Sequence, residues 1–175
     1  GAQGQQITID GTGFGTVNGT GVLFGVNVGT ANQNTGATAD LWTASQVLVT
    51  VPANAQSGNV QLWASGPSGS NLIPFKVTPT LNSVTLGGGG GIAAGFTLTL
   101  AGAGFGDVQG GSQVWIGTVQ VAAGNITWNS DSSITVTYGA GAFPNIDGIH
   151  GVYVSKRQPD TTYSSSNTVN VNIPP

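Results

Sequence analysis

The sequence predicts an all-β protein built as two antiparallel β-sandwiches in tandem, and three observations carry that expectation. Helix breakers are abundant, with 30 Gly and 8 Pro among 175 residues; in a helix interior each costs about 1 to 3 kcal/mol. Apolar side chains recur with period two, at Ile7 and Ile9, Val47, Val49 and Val51, Leu98 and Leu100, Ile134 and Val136, and Val169, Val171 and Ile173. Alternation of this kind marks strands buried on one face. The chain also repeats itself: Gly4 to Gly15 aligns with Gly95 to Gly106 at an offset of 91. Self-similarity at a fixed offset signals duplicated units, here residues 1–78 and 79–175 with a boundary near Thr78-Pro79.

The elements follow in the same order in both copies. The first alternating run, Ile7 and Ile9 or Leu98 and Leu100, leads into Gly11-Thr12-Gly13-Phe14-Gly15 or Gly102-Ala103-Gly104-Phe105-Gly106. These glycines suit left-handed turn positions, with Phe14 and Phe105 plugging the end of each sandwich. Next, Val22-Leu23-Phe24-Gly25 matches Val114-Trp115-Ile116-Gly117. Trp42 before Val47-Leu48-Val49 matches Trp128 before Ile134-Thr135-Val136. Val60-Gln61-Leu62 then matches Val152-Tyr153-Val154, and Ser70-Asn71 before Phe75-Lys76-Val77 matches Ser166-Asn167 before Val169-Asn170-Val171. Each copy has room for about seven short strands and no amphipathic helix, which implies Ig-like connectivity.

This order of motifs, glycines and Phe, then Trp, then Ser-Asn, resembles the IPT/TIG family of Ig-like domains over nearly the whole chain, twice. The resemblance implies non-catalytic modules of the kind found in bacterial surface proteins, adhesins, receptor ectodomains and secreted polysaccharide-degrading enzymes. Copy 1 departs from the pattern. Copy 2 opens with Pro79 to Leu86, which resembles the family's first strand, whereas copy 1 begins at the equivalent of Ile92. The expectation is an open sheet edge beside Gln6 to Asp10, completed by a strand from outside residues 1–78.

Composition narrows the function classes. Charged residues make up 5% of the chain, with three basic side chains and a formal net charge of −3, so there is no electrostatic basis for a nucleic-acid partner. No apolar run is long enough for membrane insertion. Without Cys, neither disulfides nor thiolate metal sites arise. Neutral, hydroxyl-rich exteriors tolerate packing against copies of themselves and suit an extracellular or cell-surface setting, in a prokaryote by the family resemblance.

Residues with chemical potential each have a structural reading beside the functional one. The glycine segments are not a dinucleotide fingerprint, since the third glycine is misplaced and no helix follows. His150, with Asp147 nearby, lacks a nucleophile elbow and reads as part of a loop or turn. The six Asp residues form no close pair for glycoside hydrolysis. Asp10, Asp107 and Asp131 lack the spacing of a calcium loop. The expectation is therefore no catalytic residue, no cofactor and no metal. Asn18 and Asn125 open glycosylation sequons, and Lys76 or Lys156 is a formal partner for an isopeptide crosslink to Asn or Asp.

Aromatic residues sort by strand parity. Trp42 and Trp128 read as core or core-edge residues. If Val114 and Ile116 point inward, Trp115 points outward; by the same rule Trp63 and Tyr153 point outward. Trp115 and Tyr153 then lie on neighbouring strands of one sheet. Packing against the other copy and loop cover remain the structural alternatives. The functional expectation is an extracellular, non-catalytic structural or adhesive module: a spacer, a stalk or a self-assembling filament-type subunit, whose partners are its own copies or adjoining domains. The alternative is a carbohydrate-binding accessory module of a secreted polysaccharide-active enzyme, with exposed aromatics stacking on sugar rings.

Overall fold

The structure, a computed structural model, describes residues 1–16, 21–26, 34–63, 69–143 and 147–175; the Asn18 sequon lies outside the described residues. The chain divides into two compact units, Gly1–Thr78 and Pro79–Pro175. Both are antiparallel β-sandwiches, and the only helical element described is a single 3-10 turn at Ala123–Asn125. Among the described residues no helix is long and apolar enough to cross a membrane.

The first unit contains β1 (Gln6–Asp10), β2 (Gly21–Val26), β3 (Thr35–Ala37), β4 (Ala39–Trp42), β5 (Gln46–Thr50), β6 (Gly58–Trp63) and β7 (Ile73–Phe75). One sheet has the order β1-β5-β4 and the other β3-β2-β6-β7. The alternating residues read from the sequence meet between the sheets: Val22, Phe24, Val47, Val49, Val60, Leu62 and Val77 are all buried. Phe24 and Phe75 pack edge to face with ring centroids 5.2 Å apart, a geometry that adds attraction beyond the buried area.

The second unit contains β8 (Thr80–Gly91), β9 (Gly95–Ala103), β10 (Gln113–Ile116), β11 (Val119–Gln120), β12 (Ile126–Ser130), β13 (Ser133–Tyr138), β14 (Gly148–Arg157), β15 (Tyr163–Ser165) and β16 (Val169–Ile173). Its sheets have the orders β12-β13-β9-β8 and β11-β10-β14-β15, with β16 also pairing to β14. Leu98, Leu100, Phe105, Val114, Ile134, Val136, Val152 and Val154 form the centre of its core at 0% exposure.

The glycine-Phe segments build the same corner in both units. Gly11 N–H donates to Ser45 O and Phe14 N–H to Ala44 O, as Gly102 N–H does to Ser132 O and Phe105 N–H to Asp131 O. The Trp42 indole N–H reaches Phe14 O at 3.0 Å and the Trp128 indole N–H reaches Gly106 O at 2.6 Å. The Phe14–Trp42 and Phe105–Trp128 rings meet edge to face, both at 6.3 Å. Gly13 and Gly104 take φ of 75° and 74°, the left-handed region open to glycine. A side chain on Gly11 or Gly102 would run into the Phe ring of its own corner. The corners also differ in burial: Phe105 is fully buried, whereas Phe14 is half-buried. The second unit lays β8 over this region, with Thr80 O against Gly102; the first unit has no described strand there.

Two sequence readings need correction. Ile73 pairs with Val60 and Val169 with Val152, so the structural partners of Val169 and Val171 are Ile73 and Phe75, two residues earlier than the match to Phe75-Lys76-Val77. A slip of two keeps every side chain on its own face, which is why the pattern concealed it. His150 is not in a loop or turn. It lies within β14, opposite Val171, because β16 pairs along Gly148–Val152 and extends that strand.

Candidate functional site

The outer face of the β11-β10-β14-β15 sheet gathers aromatic and amide side chains. Val114 and Ile116 are buried, as are Val152 and Val154, so pleating turns Trp115 and Tyr153 to the opposite face. The register places Trp115 directly opposite Tyr153 on β14 and opposite Gln120 on β11. Both rings are half-buried; their planes lie within 2° of parallel, with centroids 6.1 Å apart. Gln113, two residues before Trp115 and therefore on the same face, accepts the indole N–H at 3.1 Å. That bond holds the indole and engages its one N–H donor. Beyond Gln113 the face continues with Ser155 and then Ser165, which lie opposite one another on β14 and β15. Next to Tyr153 along β14 is Gly151, opposite Asn170, so a residue without a side chain borders the tyrosine.

The first unit does not reproduce this face. The pairing equivalent to Trp115 and Tyr153 is Leu23 and Gln61. Trp63 lies opposite Gly21, and its indole N–H is held by Gln61 at 3.2 Å. The structure thus brings together two of the three outward aromatics, Trp115 and Tyr153, within the second unit, and leaves Trp63 in the first. The motif residues Gly11, Gly13, Phe14, Gly15 and Trp42, with Gly102, Gly104, Phe105, Gly106 and Trp128, serve the corners.

A polar cluster at the second corner brings together two residues that the sequence offers only singly, Asp131 and Lys156. Asp131 is buried, and its carboxylate accepts Gly106 N–H at 2.7 Å and Gly104 N–H at 3.2 Å. The Lys156 ammonium, also buried, donates to Gly104 O at 2.9 Å. Burial holds the Lys156 pKa below the usual 10.5, and the Asp131 and Asp107 charges offset part of that shift. Both Asp131 oxygens are engaged by backbone N–H groups and the Lys156 ammonium by a backbone carbonyl. Asp10 accepts from the Gln46 side chain. Among the described residues no group of three His, Asp or Glu side chains gathers to hold a metal ion. Asn125 sits in the 3-10 turn before β12 and is half-buried, with its side chain hydrogen-bonded to the Tyr138 phenol.

Fold and face together define an Ig-like sandwich that presents one preoriented aromatic pair among amides and hydroxyls. The chain belongs to the IPT/TIG domain family, whose domain matches residues 79–171. Among solved structures it is similar to the surface glycan-binding protein PbSGBP-B from Prevotella bryantii, at 16% identity over 94% of this chain and 36% of that one, with a TM-score of 0.50. It is also similar to SGBP-B of the Bacteroides ovatus mixed-linkage glucan utilization locus, solved with a mixed-linkage heptasaccharide, at 15% identity over 99% of this chain and 40% of that one, with a TM-score of 0.34. At these identities the likeness is one of fold, and the chain spans well under half the length of either protein. No curated protein matches the chain.

Proposed function

We propose that this chain is a non-catalytic, glycan-binding module of a bacterial cell-surface protein. In this reading the Trp115–Tyr153 face of the second unit is the binding surface, and the first unit is a second IPT/TIG-like sandwich. The observation that carries the proposal is the parallel aromatic pair. Pyranose rings expose C–H faces that pack on aromatic faces, while their hydroxyls need amide and hydroxyl partners. Gln113, Gln120 and Asn170 supply such partners on the same sheet face. With the indole already fixed by Gln113, less side-chain freedom is lost when a ligand docks. The fold shared with the Prevotella bryantii glycan-binding protein supports this reading over that of a spacer or filament subunit, in which the same aromatic pair would be an assembly surface.

The test is titration calorimetry or affinity electrophoresis of the intact chain against soluble polysaccharides, including xyloglucan and mixed-linkage glucan. Trp115→Ala should weaken binding by about 1–3 kcal/mol, roughly five- to 150-fold, by loss of a stacking face. Trp63→Ala should leave affinity unchanged. Absence of binding to every neutral polysaccharide, or equal binding by Trp115→Ala, refutes the assignment.

A further inference from the structure

β14 is ten residues long, and Ile149, Gly151, Tyr153, Ser155 and Arg157 follow one another at every second position, on its outward face. The Trp115–Tyr153 pair occupies the middle of this row. Four residues beyond Tyr153, about 13 Å at the rise of an antiparallel strand, Arg157 lies directly opposite Tyr163 of β15. The register therefore puts a third aromatic ring on the face that carries the first two. Tyr163 is 47% exposed, more than either half-buried ring of the pair. Between the two aromatic positions stand Ser155 and Ser165, opposite one another with hydroxyl oxygens 3.4 Å apart. Side chains this small leave the face low between the rings.

Tyr163 is also held in place. Its phenol donates to Gly111 O at 3.4 Å, although Gly111 leads into β10, which flanks β14 on the side away from β15. The side chain thus reaches from β15 over Arg157 towards β10. Arg157 is fixed at the same spot: its backbone N–H donates to Ser112 Oγ at 3.1 Å, and its Cδ would lie 3.1 Å from a Cβ on Gly111. Gly111 takes a φ of 87°, so glycine serves both the turn and this close approach. The Arg157 side chain is exposed and carries a planar set of N–H donors. In the other direction from the pair the row continues with Gly151 and Ile149, opposite Asn170 and Asn172. That end offers amides and an alkyl group, and no ring.

We infer that Tyr163, with Arg157 beside it, is a second stacking position of the glycan-binding face, and that the ligand is an extended, neutral polysaccharide chain lying along β14 over several sugars. The inference rests on the reading of the Trp115–Tyr153 face as a glycan site and adds the shape and direction of the ligand. Stacking faces about 13 Å apart are farther apart than one sugar ring can cover, so a monosaccharide engages one of them. A straight row of outward positions favours a chain that keeps successive rings in line over one that coils away from the sheet. Between the two positions Ser165 is exposed and offers a hydroxyl partner, while Arg157 offers donors to sugar oxygens. With three basic side chains in the whole chain, the guanidinium is a hydrogen-bonding group and not part of a basic field, so the face suits hydroxyls rather than a polyanion.

The test is calorimetry of the intact chain with xyloglucan and mixed-linkage glucan oligosaccharides of increasing length. Affinity should step up at the length that first spans both aromatic positions. Tyr163→Ala should remove the step, weakening the longest oligosaccharides about two- to tenfold, and should leave the shortest that bind unchanged. Tyr163→Leu, which keeps an apolar side chain without a ring, should do the same, whereas Tyr163→Phe should keep the step. Ile149→Ala, at the other end of the row, should keep it too. Trp115→Ala should weaken every length. A step that survives both Tyr163→Ala and Tyr163→Leu, or one that Ile149→Ala removes, overturns the second position; continued weakening by Trp115→Ala then leaves the glycan site standing. Equal weakening of short and long oligosaccharides by Tyr163→Ala assigns Tyr163 a role through the fold and overturns it as well. Affinity that does not grow with length, or no binding of either glucan, overturns the extended ligand, and failure to bind any neutral polysaccharide refutes the glycan site itself.

Discussion

Asp131 and Lys156 show what a single residue contributes in this fold. They are 25 positions apart in the chain, on no shared motif, and meet because the second corner brings the turn after β12 against the end of β14. That is why the sequence, which offers Asp131 and Lys156 singly, carries no sign that they come together. Asp131→Ala removes the acceptor for two backbone N–H groups and one of the two carboxylates that offset the buried Lys156 charge, so it should destabilise the second unit by about 1–3 kcal/mol in urea denaturation. Lys156 also sets a pH dependence. Its folded pKa lies below 10.5, so between that lowered value and 10.5 the unfolded chain binds more protons than the folded one. Stability of the second unit should therefore rise as pH climbs through that window, and Lys156→Met should abolish the rise. His150→Ala should alter local stability alone; a hydrolytic rate that vanished with this substitution would overturn the non-catalytic reading. The outward direction of Trp115 and Tyr153, by contrast, was legible, since each sits between two valine or isoleucine neighbours that the core claims.

At the scale of the element, most strands were legible because inward residues recur at every second position and glycines mark where they turn. Two details were not. A two-residue slip in the last strand of the first unit leaves the inward set unchanged, so only the pairing of Ile73 with Val60 reveals it. The presence of His150 in β14 depends on β16, a partner distant in sequence, and local composition carries no trace of it. The corners offer a direct comparison of one element in two settings. Phe105→Ala should cost about 3–5 kcal/mol, the value for a fully buried aromatic. Phe14→Ala should cost less, about 1–3 kcal/mol, because the ring is half-buried and loses less contact. Equal losses in chemical denaturation would contradict the difference in burial.

For the molecule as a whole, scarcity of charge governs behaviour. With three basic residues and a formal net charge of −3, long-range attraction has little part in recognition, and binding to a neutral polysaccharide should be nearly independent of ionic strength between low and physiological salt. An affinity that fell steeply with added salt would point to an anionic partner instead. The pair of corners has an optical consequence too. Trp42 and Trp128 each belong to one unit, packed edge to face on a Phe and bonded to a backbone carbonyl. With Trp63 and Trp115 replaced by Phe, and one corner indole removed at a time, the chain becomes a pair of single-fluorophore reporters. Emission from each then tracks the melting of its own sandwich, which separates two transitions that would otherwise overlap in one signal.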